Sequence, residues 1–117
     1  MPIVITATID LEPGRREQTL QSAQPLIAAA LAERGCRAYT WSCDAVYPDR
    51  IHVFEEWEDE AALKGHFNDK PYADMRDHLG ASGIRNAVSS KYRVDLIEPV
   101  YNSEGQARAD FARSRPE

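Results

Sequence analysis

Residues 54–67, Phe-Glu-Glu-Trp-Glu-Asp-Glu-Ala-Ala-Leu-Lys-Gly-His-Phe, decide how this chain is read. Ile51 to Trp57 reads as a strand of aromatic and β-branched residues. Asp59 then stands where a helix N-cap belongs, and Ala62, Leu63, His66 and Phe67 fall on one stripe of a short helix. The run Glu55, Glu56, Glu58, Asp59 and Glu60 is mostly a solvated face, favoured at a helix start by the macrodipole. Trp57 and His66 are different: both point from this corner toward the sheet side, and a corner so built is either plain packing or one wall of a pocket.

Outward from this corner the pattern repeats. Upstream, Cys36 to Asp44 is a strand carrying Tyr39, Thr40 and Trp41, and Tyr47-Pro-Asp-Arg50 is a turn, so the two strands form a hairpin. Downstream, Asp69-Lys-Pro71 starts another helix with Pro at its first position. Tyr72, Met75 and Leu79 line the buried side of that helix. At the amino end, Ile3, Ile5, Ala7, Ile9 and Leu11 alternate against Val4, Thr6, Thr8 and Asp10, until Glu12-Pro-Gly14 ends the strand. A helix is expected from about Arg15 to Arg34, with Pro25 kinking or splitting it and Gly35 just past its last turn. Gly80 to Ala87 reads as a connection, and Ser89 to Pro99 as the last strand.

The order β-α-β-β-α-α-β predicts an α+β chain of ferredoxin-like, split βαβ type, a four-stranded antiparallel sheet with helices on one face. A sheet with one wet face alternates apolar and polar, yet Val4 beside Ile5, Ala38 beside Tyr39, Phe54 beside Val53 and Ile97 beside Val94 put apolar residues on both parities. A second copy of the chain is the simplest cover for the free face, because a two-fold axis makes one patch complementary to itself. A homodimer is therefore expected. Residues 1–100 form the domain, and the polar tail 101–117 is either mobile or packed on the partner subunit.

Composition narrows the function. At 117 residues the chain holds one core, and 43% apolar with 28% charged residues is ordinary globular usage. A net charge of −5 argues against nucleic acid or an anionic membrane as partner. No apolar run approaches the roughly 20 residues of a spanning helix, and the start lacks a basic leader, so the cytoplasm is the expected setting. Cys36 and Cys43 lie on opposite faces by strand alternation, roughly 23 Å apart by rise, too far to bridge each other. Two Cys and three His show no zinc spacing, so no metal is expected.

The chain resembles the antibiotic biosynthesis monooxygenase family of dimeric α+β barrels over about Ile3 to Pro99. The resemblance rests on Pro13-Gly14 after the first strand, Gly35-Cys36 with Tyr39 opening the second, Glu56-Trp57 closing the third, and Ala62-Leu63 with His66 on the next helix. It implies a cofactor-independent monooxygenase acting with O₂ on a small aromatic substrate of quinol or anthrone type. The family also includes haem-degrading enzymes, but the Asn, Trp and His on which those depend are replaced here by Ala7, His66 and Arg76. Arg76 stays protonated and cannot serve as an axial ligand; a shifted alignment offers His78 in its place, with the Asn and Trp still missing. A non-catalytic small-molecule-binding or stress-response protein on the same fold is the main alternative. An isomerase of a phosphorylated ketone would need convergent cations, for which only Arg76 and Arg93 are candidates.

For a cofactor-independent oxygenase the site is a dry apolar cavity, a group to take a proton, and donors for an oxyanion. His66 is the candidate base, since a neutral imidazole titrates near working pH; the alternative is a buried histidine bonded to a carbonyl or carboxylate. Tyr39, Trp41, Trp57, Phe67, Tyr72 and Arg76 are the candidate substrate contacts, the rings stacking on a flat substrate. Trp57 reads first as packing at the strand end and second as a substrate platform, and Tyr39 with Trp41 as cavity wall or dimer core. His52 shares the parity of Phe54 and belongs to the dimer side. Glu55 or Glu56 must point inward, with Arg93 as its expected ion-pair partner.

Overall fold

The computed structural model describes residues 1–111. Its elements are β1 (Ile3–Leu11), α1 (Arg16–Leu31), β2 (Cys36–Cys43), β3 (Arg50–Trp57), α2 (Glu60–Phe67), α3 (Lys70–Ser82) and β4 (Ile84–Arg93). The four strands form one antiparallel sheet in the order β2-β3-β1-β4. This is the α+β arrangement expected, with the three helices over one face.

Burial follows the alternation read from sequence. Ile3, Ile5, Ile9 and Leu11 of β1 face the helices with Ile51, Val53 and Trp57 of β3, and meet Ala23 and Ala30 of α1, Leu63 of α2, and Met75 and Leu79 of α3. The opposite face carries Val4, Thr6 and Thr8 beside Phe54 and His52 on one side and Tyr92, Ser90 and Val88 on the other. Phe54, Val88 and Tyr92 are exposed there.

The helix ends are held as their residues suggest. The Asp59 carboxylate accepts from the Ala62 N–H, and the Asp69 carboxylate from the Lys70 N–H. Pro71 therefore sits one position later than expected, second in α3 rather than first. Pro25 neither splits nor ends α1, which runs unbroken across it. The proline and the Gln21 carbonyl it leaves without an N–H partner both lie on the solvent side, where water can replace the lost bond.

The largest departure is at β4. Residues expected in a connection, Ile84 to Ala87, are paired with β1, while Val94 to Pro99 leave the sheet after the Val94 N–H bonds the Pro2 carbonyl. Val94 and Ile97 are thus not evidence for an apolar second face. The helix-to-strand link shrinks to Gly83, whose φ of +85° makes the reversal in one residue. Ladder pairing with β1 overrides the weak strand propensity of Asn86 and Ala87, and Arg85 is the extra residue where the register shifts.

A second correction concerns Cys36. The register of β2 on β3 shifts between Cys36 and Ala38, a bulge that places Cys36 opposite Trp57. Cys36 therefore shares the helix side with Tyr39 and Trp41 instead of the far face, and both cysteines are free thiols. Among the described residues no helix is long and apolar enough to cross a membrane. In the tail, Tyr101 bridges Ala107, and the expectation for residues 112–117 lies outside the described residues.

Candidate active site

Between the sheet and the helices α2 and α3 lies a cavity of about 230 Å³. Ile5, Ala7, Ile9 and Val53 supply apolar strand side chains, and Met75 and Leu79 of α3 close it from above. Tyr39 and Trp41 form one wall as neighbours on β2, with ring centroids 6.1 Å apart. This resolves their alternative: both belong to the cavity side, not the free face. Phe67, Tyr72 and Arg76 line the remaining side. Phe67 and Arg76 are exposed and Tyr72 half-buried, so these three make the mouth.

His66 is the polar centre. Its side chain is 2% exposed, and its Nδ1 lies 2.6 Å from Glu33 Oε1. Its ring is clamped by Trp57 at 4.5 Å, Tyr72 at 5.4 Å, Tyr39 at 5.6 Å and Phe67 at 5.8 Å between centroids. The Nε2 atom makes no hydrogen bond among the described residues.

Trp57 is not among the lining residues. Fully buried, it backs His66 and donates through Nε1 to Glu55 Oε1 at 3.0 Å. Glu55 is the inward carboxylate, and its partner is this indole, not Arg93; Glu56 instead approaches Arg37 at 3.6 Å. Arg93 fails as a partner because β1 lies between β3 and β4 in the sheet. Burial pushes the Glu55 carboxyl above the usual carboxylate range; the Trp57 hydrogen bond and the His66 charge oppose it, and Glu33 adds to it. Burial likewise drives the Tyr39 hydroxyl above the ordinary phenol range, with Glu55 adding to it and the Trp41 indole opposing. Trp41 Nε1 is itself buried without a well-formed hydrogen bond among the described residues. Tyr39 is thus an un-ionised donor at any pH the fold meets.

A family model described as antibiotic biosynthesis monooxygenase matches residues 2–78. The chain belongs to that family. The match ends inside α3, so β4 and the tail lie beyond it. Among curated proteins, "Uncharacterized protein sll1783" of Synechocystis is 32% identical over 71 residues, 61% of this chain and 48% of that one. "Putative monooxygenase YcnE" of Bacillus subtilis is 36% identical over 64 residues, 55% of this chain and 67% of that one. The chain thus matches about half the length of the Synechocystis protein. A crystal structure from Deinococcus radiodurans that carries the family name superposes with a TM-score of 0.77 at 17% identity, covering 86% of this chain and 99% of that one. At that identity the likeness concerns the fold.

Within this family member, six of the residues singled out from sequence, Tyr39, Trp41, His66, Phe67, Tyr72 and Arg76, meet around one cavity. Glu55 and Glu33 were not among them. Strand parity marked one of Glu55 and Glu56 as an inward carboxylate without choosing between them. Glu33 carried no signal, because its neighbours in sequence form an ordinary helix end and only the turn into β2 brings it under α2. His52 lies on the free face, bonded to Asp44 at 2.5 Å, away from the cavity.

Proposed function

We propose that this family member is a cofactor-independent monooxygenase oxidising a small electron-rich aromatic, of quinol or anthrone type, with O₂. One observation carries the reading: a mainly aromatic and apolar cavity, with Glu55, Arg76 and Ser89 as the other polar members of its lining, holds a histidine whose Nε2 makes no hydrogen bond among the described residues while its other nitrogen is fixed by a carboxylate. The volume is below the usual ~300–1,000 Å³ of drug-sized sites, which restricts the substrate to a compact ring system.

The chemistry needs little from the protein. His66 Nε2 takes a proton from the activated carbon or hydroxyl, leaving an anion electron-rich enough to give one electron to O₂. Recombination forms a carbon–peroxide bond, and the imidazolium returns its proton to the peroxide. Loss of the second C–H proton to His66, with O–O cleavage, leaves a carbonyl and one water, so CH₂ and O₂ balance C=O and H₂O. The Tyr39 hydroxyl and Trp41 indole are the donors nearest in kind to an oxyanion site, and Tyr72, Phe67 and Trp41 offer faces for stacking. Arg76 at the mouth suits an anionic or phenolic edge.

The same reading includes a homodimer joined through the free sheet face and a cytoplasmic setting, where two free cysteines stay reduced. The test is oxygen uptake on a small panel of naphthoquinols and anthrones. His66→Ala should lower kcat by ~10²–10⁴ while binding of the unreactive quinone persists. Full turnover by that variant would remove His66 as the base. Tight binding with no uptake by the unaltered protein across the panel would assign the cavity to a binding protein instead.

A further inference from the structure

His66 stands between two spaces. One side of it lines the substrate cavity, and the other lines a separate pocket of about 470 Å³ that also includes Glu33, Arg34, Glu58, Asp59 and Asp69. Glu33 reaches the ring from the turn between α1 and β2. That turn is fixed by local bonds: Glu33 N–H to the Ala30 carbonyl at 3.1 Å, Cys36 N–H to the Glu33 carbonyl at 3.2 Å, and Glu58 N–H to the Gly35 carbonyl at 2.8 Å. The side chain is 10% exposed, and its Oε2 is buried without a hydrogen-bond partner among the described residues. A carboxylate so placed is costly unless something nearby carries positive charge. The group in contact is His66, and Glu33 makes no other side-chain bond among the described residues.

We propose that Glu33 is a positioning residue for His66: it fixes the Nδ1–H tautomer, turns the Nε2 lone pair to the cavity, and holds the proton there as imidazolium between substrate deprotonation and peroxide protonation. This rests on His66 being the base. An ionised carboxylate only accepts, so the proton at the 2.6 Å contact belongs to Nδ1, and in the neutral ring Nε2 is then bare. When Nε2 gains the substrate proton, charge forms on the ring beside an otherwise uncompensated anion. The pair then goes from one buried charge to two that cancel, which favours the step where an apolar site would oppose it. Nothing leaves the pair: the proton taken is the proton returned.

Among the described residues the other ionisable groups around the ring are Arg34 on the same turn, Tyr39 of β2, Glu55 of β3, Glu58 and Asp59 at the β3–α2 corner, Asp69 at the cap of α3, and Tyr72 and Arg76 of α3. Of these, Glu55 is the second buried carboxyl that interacts with the His66 charge. Glu55→Gln is therefore the control for a general loss of negative potential.

Two readouts test the proposal, and the first needs no turnover. Nitrogen-15 NMR of unaltered protein should show His66 protonated at Nδ1 and bare at Nε2 when neutral. Glu33→Gln should keep that tautomer, since its amide oxygen still accepts, but move the His66 midpoint down by more than Glu55→Gln does. Glu33→Ala should lose the tautomer preference. In oxygen uptake, Glu33→Gln should lower kcat roughly tenfold and Glu33→Ala about a hundredfold, with KM within about twofold, and the acid limb of the Glu33→Gln profile should move to lower pH. A proton on Nε2 of the neutral ring in the unaltered protein, or a Glu33→Gln midpoint equal to the unaltered one, overturns the proposal. Should no substrate be oxidised at all, the NMR result still decides the role of Glu33, and only the oxygenase reading fails.

Discussion

At the residue scale, Glu55 shows how one buried carboxyl couples stability to pH. Its carboxyl sits above the ordinary glutamic range chiefly because of burial. The folded state thus holds this proton more firmly than the unfolded chain does. Stability is fullest below the ordinary glutamic range, falls as pH rises through the window above it, and stays lower beyond. Glu55→Gln keeps an acceptor for the Trp57 indole and removes the charge. Thermal melts should show the variant more stable than the parent at pH 8 and little different at pH 4. An equal or lower melting temperature at pH 8 would mean that the charge is better compensated than its surroundings indicate. Strand alternation pointed one of Glu55 and Glu56 inward; that it is Glu55, bonded to the indole two residues along, required the folded corner.

At the element scale, the turn entering β2 and the body of α2 contain glycines with opposite demands. Gly35 has φ +78°, and a Cβ there would meet Ala62 Cβ at 2.4 Å. Gly35→Ala combines left-handed strain with a clash against α2, an expected loss of about 2–4 kcal/mol, and it disturbs the turn that carries Glu33. Gly65 lies inside α2, and a Cβ there would meet nothing within 4 Å. Gly65→Ala should therefore gain about 0.5–1 kcal/mol from helix propensity. Urea denaturation of the two variants gives both signs in one experiment. Gly35 was legible as a helix stop, but its contact with Ala62, 27 positions later by numbering, was not. The same limit explains β4: a Gly/Ser-containing stretch reads as a connection until β1 supplies it with a ladder.

At the scale of the whole molecule, the free face of the sheet is the uncovered surface of a single chain. Every residue of β4 is exposed, and Val4, Phe54, Val88 and Tyr92 share that face by register. The face is more mixed than the sequence pattern indicated, since Thr6 reaches the Tyr92 hydroxyl at 3.3 Å and Arg50 pairs with Asp10 at 2.8 Å. Apolar rings within a polar frame suit a two-fold contact in which the rings are the anchors. Light scattering at micromolar concentration should return twice the chain mass. Phe54→Glu, at the centre of the face, should return a single chain with its far-ultraviolet dichroism intact. A monomeric parent protein would remove the barrel and require another cover for these rings.

Element order, the alternation of the strands, the capped corner at Asp59 and the apolar stripe that carries His66 could all be read from the residues in line. These are short-range matters, set by periodicity, capping and turn chemistry within a few residues. Packing of the folded chain supplied the rest: the register that draws Ile84 to Ala87 into the sheet, the bulge that turns Cys36 inward, and the meeting of Glu33 with His66 across 33 positions. Such contacts depend on how separate elements pack, and no local pattern of residues encodes the distance between them.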